Sequence, residues 1–138
     1  MSRIASPPIV RTRQEHDLWP IIALMERVYP LHRFGPHAIW KEENLRKHMA
    51  AFPEGQHVAV ASDGILLGTS TTLRIAKDVA LFPHTWGEIT GNGTLSTHNP
   101  SGQVLYGVNI AVDPRFQGQG VARALYAARI SVAREIGC

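Results

Sequence analysis

Two closely spaced glycines, set between a strand-like run and an amphipathic run, limit this chain more than any other feature. Val104 to Val112 is rich in Val, Leu and Ile and reads as a strand. Asp113-Pro114 ends it, because proline brings no N–H to a ladder. Gln117-Gly118-Gln119-Gly120-Val121-Ala122 follows. From Gly118 to Ile136 the pattern is helical, with Val121, Ala124, Leu125, Ala128, Val132 and Ile136 in one stripe and Gly137 placed as the C-cap. Glycines without Cβ let backbone N–H groups approach a phosphate closely. The start of a helix adds unpaired amides and the positive end of its dipole. Arg115 and Arg123 bring charge nearby.

Ahead of this segment, residues 1–8 form a loose leader and Ile9-Val10-Arg11-Thr12 a short extended piece. Asp17 is placed as the N-cap of a first helix whose stripe is Leu18, Ile21, Ile22, Met25 and Val28, and Pro30 stops it. A second helix is expected from about Pro36 to Ala51, with Ala38, Leu45, Met49 and Phe52 toward the core. Pro53-Glu54-Gly55 then punctuates a switch to strands. Gln56 to Ser62 and Ile65 to Leu73 are joined by Asp63-Gly64, a two-residue hairpin signal. Residues 76–102, with Pro83, Gly87, Gly91, Gly93, Pro100 and Gly102, read as a long irregular insertion. Its Phe82 and Trp86 suggest a loop that packs on the core or lines a site. The whole is an α/β chain with a mixed sheet and fits a single domain over residues 1–138.

Three kinds of phosphate loop compete for the glycine pair. A P-loop needs Gly-Lys-Ser/Thr at the helix start, which is absent. A dinucleotide fingerprint needs a third glycine where Arg123 stands, and Asp113 to Phe116 intervene between strand and loop. The pattern Q/R-x-x-G-x-G/A is met in register by Gln117, Gly120 and Ala122. With Ile110-Ala111-Val112-Asp113-Pro114 before it and Ala124-Leu125-Tyr126 after it, this stretch resembles the core of the GNAT superfamily of acyl-CoA-dependent N-acyltransferases.

That resemblance implies two N-terminal helices, a β-hairpin, a central strand, a pyrophosphate loop and a CoA-binding helix. It implies acetyl-CoA as cosubstrate, its pyrophosphate on Gln117, Gly118, Gln119, Gly120, Val121 and Ala122, and its pantetheine arm along Ile110, Ala111 and Val112. A strand N–H would polarise the thioester carbonyl. An amine acceptor would attack directly, with no covalent enzyme intermediate. The amine must first lose a proton. Val104 to Ile110 holds no carboxylate, so the leading base is Glu88, followed by His84 and His98. Tyr106 and Asn109 belong to the strand, and parity alone does not fix the side they face. Seven histidines form no H-x-x-x-H or Cys/His cluster, so no metal is expected.

Family members continue past this helix into a further strand and a tyrosine general acid. Here the chain stops at Cys138, and neither Tyr29 nor Tyr126 matches that tyrosine. The domain is therefore expected to be C-terminally incomplete, its sheet finished by a further segment or by a second copy, and poorly behaved as an isolated monomer. Two other readings stay open: a non-catalytic CoA-binding module, and an interaction domain using its basic last helix.

The net charge of +3 lies wholly after residue 114, where Arg115, Arg123, Arg129 and Arg134 face Glu135 alone. Such an excess serves either as a solvated helix face or to attract a multiply phosphorylated ligand. Basic residues are too few and too separate from aromatics for a nucleic-acid surface. No apolar run reaches the roughly 20 residues of a membrane span. The first residues have no apolar signal core, and the lone Cys138 forms no internal disulfide, so a cytoplasmic location is expected.

Overall fold

The computed structural model describes residues 3–35 and 40–138. Strands β1 (Ile9–Thr12), β2 (His57–Val60), β3 (Leu66–Ile75) and β4 (Val104–Val112) form a four-stranded sheet in chain order, each neighbouring pair antiparallel. The Asp63-Gly64 turn joins β2 to β3, with Gly64 at φ +90° and the Ile65 amide donating to Asp63 Oδ1 at 3.1 Å. Helices α1 (Leu18–Val28) and α3 (Glu42–Ala51) cover one face of the sheet, and α6 (Val121–Glu135) covers the other. Among the described residues no helix is long and apolar enough to cross a membrane.

Helical periodicity explains α1. Leu18, Ile21, Leu24 and Met25 are fully buried against the sheet, while Trp19 on the opposite side is exposed. Each such burial is worth about 1.5–3 kcal/mol. Ile22 and Val28, placed in the same stripe by sequence, flank the core as half-buried residues. Asp17 does not cap α1 with its side chain. It sits in a single 3-10 turn, where its carboxylate accepts from Arg11 Nη1 at 2.7 Å, Arg11 Nη2 at 2.9 Å and the Gln14 amide at 2.7 Å. Those bonds hold its pKa below the usual range against the opposing effect of burial.

The second helix differs from expectation. A single turn, α2, spans Leu31–Phe34, and α3 begins only at Glu42. Lys41 is extended, and its amide donates to Asn44 Oδ1 at 3.2 Å, which sets the later start. Residues 36–39, Ala38 among them, lie outside the described residues. The stretch 76–102 is also more ordered than its glycines and prolines suggest. It carries α4 (Lys77–Leu81) and α5 (Trp86–Thr90), and it sends Ile89 and Leu95 into the main core.

The middle of the sheet is polar. Thr69, Ser70, Thr71 and Thr72 of β3 are all buried. Arg13, itself 5% exposed, reaches under β2 and donates to Thr69 Oγ1 at 2.8 Å, Thr71 Oγ1 at 2.6 Å and the Ser70 carbonyl at 3.1 Å. Burial lowers its pKa to about 9, so it remains a cation at neutral pH. Thr69 in turn donates to the His57 carbonyl, and Thr72 to that of Gly55.

His48 is the one polar side chain on the inner face of α3. Its Nε2 lies 2.6 Å from the Gly93 carbonyl and its ring meets Trp40 edge-on at 4.6 Å. A carbonyl only accepts, so Nε2 carries a proton. Burial lowers its pKa from 6.5 to about 4. The unfolded chain therefore binds a proton that the folded chain refuses between those values, and stability falls as pH drops through that window. His57 and His98 are lowered in the same sense by burial. The melting temperature is expected to drop between pH 7 and pH 5, and His48→Gln, which keeps a donor but does not titrate, should show a smaller drop.

Candidate acyl-CoA site at the edge of β4 and the start of α6

The glycine loop has the geometry its sequence requires. Gly118 and Gly120 sit at φ +74° and +84°, a region that costs a residue with Cβ about 1–2 kcal/mol. A Cβ built on either meets nothing within 4 Å, so the space over the loop is open. Gly120 is the N-cap of α6, and the first intrahelical bond runs from the Ala124 amide to the Gly120 carbonyl at 3.0 Å. The amides of Val121, Ala122 and Arg123 thus precede the helical ladder and can serve an anion. Val121 is buried against Leu125, Leu67 and Phe116, which locks the helix start to the sheet. Gln119 accepts from the Ile4 amide at 2.8 Å, so the segment at Ile4 braces the loop.

The direction of the β4 amides follows from the register. Gly68 pairs with Val112, and the Asp113 amide donates to the Leu67 carbonyl at 2.8 Å. Gly68–Val112 is therefore a non-hydrogen-bonded pair. By alternation Thr69–Ala111 is hydrogen-bonded, Ser70–Ile110 is not, and Thr71–Asn109 is. The amides of Ile110 and Val112 consequently point away from β3, toward the open edge of the described sheet. Ala111 is different: its amide faces β3 and its side chain is buried. Of the three strand positions expected to meet the pantetheine arm, two present an N–H to that edge.

Just before this row the ladder slips. Thr71 pairs with Asn109 but Thr72 with Gly107, leaving Val108 as the extra residue of a β-bulge. Trp86 Nε1 of α5 donates to the Val108 carbonyl at 3.2 Å. Asn109 Nδ2 donates to the Tyr29 hydroxyl at 3.1 Å, which brings the end of α1 to the bulge. Asn109 therefore faces α1, while Tyr106 meets His84 edge-on at 5.8 Å.

The candidate bases separate from one another. The Glu88 carboxylate accepts from the Thr85 amide at 3.1 Å, completing a capping box at the start of α5, and borders a hollow of about 380 Å3 together with Phe82 and His84. His98 Nδ1 accepts from the Arg74 amide at 3.0 Å and its ring stacks on Phe52, which are structural tasks. A larger groove of about 800 Å3 lies between α1 and the start of α3, lined by Trp19, Ile22, Leu31 and Trp40 with Glu26 and Glu42. Trp40 and Trp86 both converge on Gly93, so this groove adjoins the cluster that carries the bulge contact. Among the described residues no group of three or more His, Cys, Asp or Glu could hold a metal.

The basic excess of the last segment is partly spent inside the protein. The fully buried Asp113 carboxylate accepts from Arg115 Nη2 at 2.8 Å, the Arg115 amide at 2.9 Å and Arg27 Nε at 3.0 Å. These bonds hold its pKa below the usual range although burial pushes the other way. Arg129 is also engaged, at the β3–β4 junction. Arg123, exposed in the first turn of α6, stands beside the loop. The sequence does not single out Arg27 or Arg129 as site residues, and it leaves Trp86 between core packing and a site. The one available signal was Gly107 inside a strand, a mark of a bulge or a close approach. Asp113→Asn keeps the local acceptor but removes the charge between two arginines, and is expected to cost about 1–3 kcal/mol in a denaturant melt.

Comparison with known proteins agrees with this geometry. A family model described as acetyltransferase (GNAT) family matches residues 25–138. The probable hydrolase YhcX of Bacillus subtilis (strain 168) is 33% identical over 136 residues, covering 99% of this chain and 25% of that protein. YkwB of the same organism, described as an uncharacterized N-acetyltransferase, is 33% identical over 116 residues, covering 84% of this chain and 50% of that protein. The chain thus spans a quarter to a half of these relatives. Among solved structures, the GphF GNAT-like decarboxylase in complex with isobutyryl-CoA superposes with TM-score 0.74 at 25% identity, over 91% of this chain and 59% of that one. The YhbS GNAT N-acetyltransferase of Escherichia coli in complex with CoA gives 0.58 at 18% identity, over 96% and 59%. The chain belongs to the GNAT acetyltransferase family.

Proposed function

We propose that this domain binds an acyl-CoA along the open edge of β4 and the start of α6, and transfers the acyl group to an amine by direct attack. The observation that carries the reading is the alignment of two outward amides, Ile110 and Val112, with the glycine loop and the unladdered amides of α6. A pantetheine arm can pair with the strand while the pyrophosphate meets the helix start. The oxygen of the attacked thioester gains negative charge, and an outward strand amide is the donor suited to it. Gln117, Gly118, Gln119, Gly120, Val121 and Ala122 form the pyrophosphate loop of this reading. Acetyl is the proposed acyl group, on the strength of the family.

The acceptor amine approaches from the α1–α3 groove, whose tryptophans suit an apolar body and whose Glu26 and Glu42 suit an ammonium group. Attack needs the free amine, and Glu88 is the proposed base, directly or through water. Its cap role makes a clean test available. Glu88→Gln keeps an oxygen for the Thr85 amide, so stability should hold, while acetyl-CoA-dependent thiol release with an amine falls about 100-fold. An unchanged rate would assign Glu88 to the cap alone.

Placement of the pyrophosphate is tested by titrating CoA calorimetrically into two variants of one residue. Gly120→Asn tolerates positive φ and should retain CoA binding. Gly120→Glu sets a carboxylate against the phosphates and should lose it at millimolar CoA. Equal affinities in both variants would refute the loop assignment.

A further inference from the structure

Arg129 projects from the middle of α6 into the sheet, where nothing about its sequence position requires it. Its Nε donates to Ser70 Oγ at 2.7 Å, and its Nη2 donates to two carbonyls, Asn109 at 2.6 Å and Thr71 at 3.2 Å. Those carbonyls belong to the last regular pair before the β4 bulge. Burial lowers the guanidinium's pKa, yet no carboxylate shares its contacts. The neighbouring carbonyl, Val108, is held by Trp86 Nε1 at 3.2 Å. Successive peptide groups of the bulge are thus gripped by side chains from two separate elements.

The peptide that joins Asn109 to Ile110 has its carbonyl on Arg129 and its N–H on the open edge, because a trans peptide points the two in opposite directions. A cation on the carbonyl oxygen draws electron density through the amide and strengthens its N–H as a donor. Gly107 permits the contact. It is exposed, and a Cβ there would stand 2.5 Å from Arg129 Nη1.

Resting on the acyl-CoA reading above, we infer that Arg129 is a positioning residue for acyl transfer, fixing the bulge and polarising the Asn109–Ile110 peptide so that the Ile110 N–H receives the thioester oxygen. It touches neither substrate. Its effect belongs to the acyl carbonyl, not to the nucleotide end of CoA.

The experiment uses three forms of the full chain: wild type, Arg129→Met and Gly107→Ala. The alanine only displaces the flexible end of Arg129, so it folds even if Arg129→Met does not. Three measurements are made on each: the Kd for CoA by calorimetry, the Ile110 amide proton shift by NMR with CoA and then with acetyl-CoA, and the rate of acetyl-CoA consumption with an amine. In wild type, acetyl-CoA should move the Ile110 proton downfield relative to CoA. Both variants should lose that difference and consume acetyl-CoA with an amine about tenfold more slowly, while the Kd for CoA changes by less than about twofold, since the pyrophosphate loop is untouched. A wild type that binds no CoA sinks the acyl-CoA reading itself. A wild type that binds CoA, with both variants keeping the acetyl-dependent shift and the rate, overturns the role of Arg129 alone. Equal losses of CoA affinity and rate in the variants also overturn it, because they mark a merely structural contact.

Discussion

The slip in the β3–β4 ladder at Val108 is the constraint on which the rest of the site depends. A bulge bends and twists its strand, and here it comes just before the segment whose amides alternate toward and away from β3. The Ile110 and Val112 N–H groups reach the open edge only in this register. A shift by one residue would turn them inward and expose the buried Ala111 instead. The bulge is held by α5 through Trp86, by α1 through Tyr29 and Asn109, and by α6 through Arg129. Both helical layers therefore converge on one irregular stretch of backbone.

A second tension runs through β3. A strand buried on both faces normally reads as a continuous apolar run, but here Thr69, Ser70, Thr71 and Thr72 occupy its centre. The two arginines answer this from opposite sides: Arg13 serves the hydroxyls of Thr69 and Thr71 on the α1 face, and Arg129 that of Ser70 on the α6 face. Among the described residues, Arg13 Nη1 and Asn109 Oδ1 have no hydrogen-bond partner. Apolar packing would be the less costly way to fill this space. Its hydroxyls and guanidinium groups instead lie on β3, directly beside the strand whose outward amides face the open edge.

Strong local chemistry was legible in the sequence and long-range pairing was not. Gly118 and Gly120 announced the loop because backbone at positive φ restricts the residue type. Asp63-Gly64 announced the hairpin for the same reason, and the α1 stripe marked the core face. The late start of α3 at Glu42 is hidden in the sequence because Asn44, which accepts the Lys41 amide, is not the Glu or Gln common at that capping position. Residues 76–102 read as irregular because single-turn helices such as α4 and α5 are too short to show a period. Arg27 carries no signal in the sequence, and Arg129 reads equally as a solvated helix face or as charge for a phosphorylated ligand, since their partners are fixed by tertiary contact and lie outside any local window. Apolar neighbours single out Glu88 in the sequence, and in the structure they accompany a helix cap.

Asp113 joins contacts of very different reach. Its bonds to Arg115 span two residues, whereas its bond to Arg27 closes a loop of 86. The local half can form as soon as the 3-10 turn at Pro114 folds; the distant half must await the docking of α1 and bears the entropy of long-range closure. The turn leading into the glycine loop thus acquires its second counter-charge only when the N-terminal helix is in place. Completion of the site therefore depends on a contact that only the assembled domain can make.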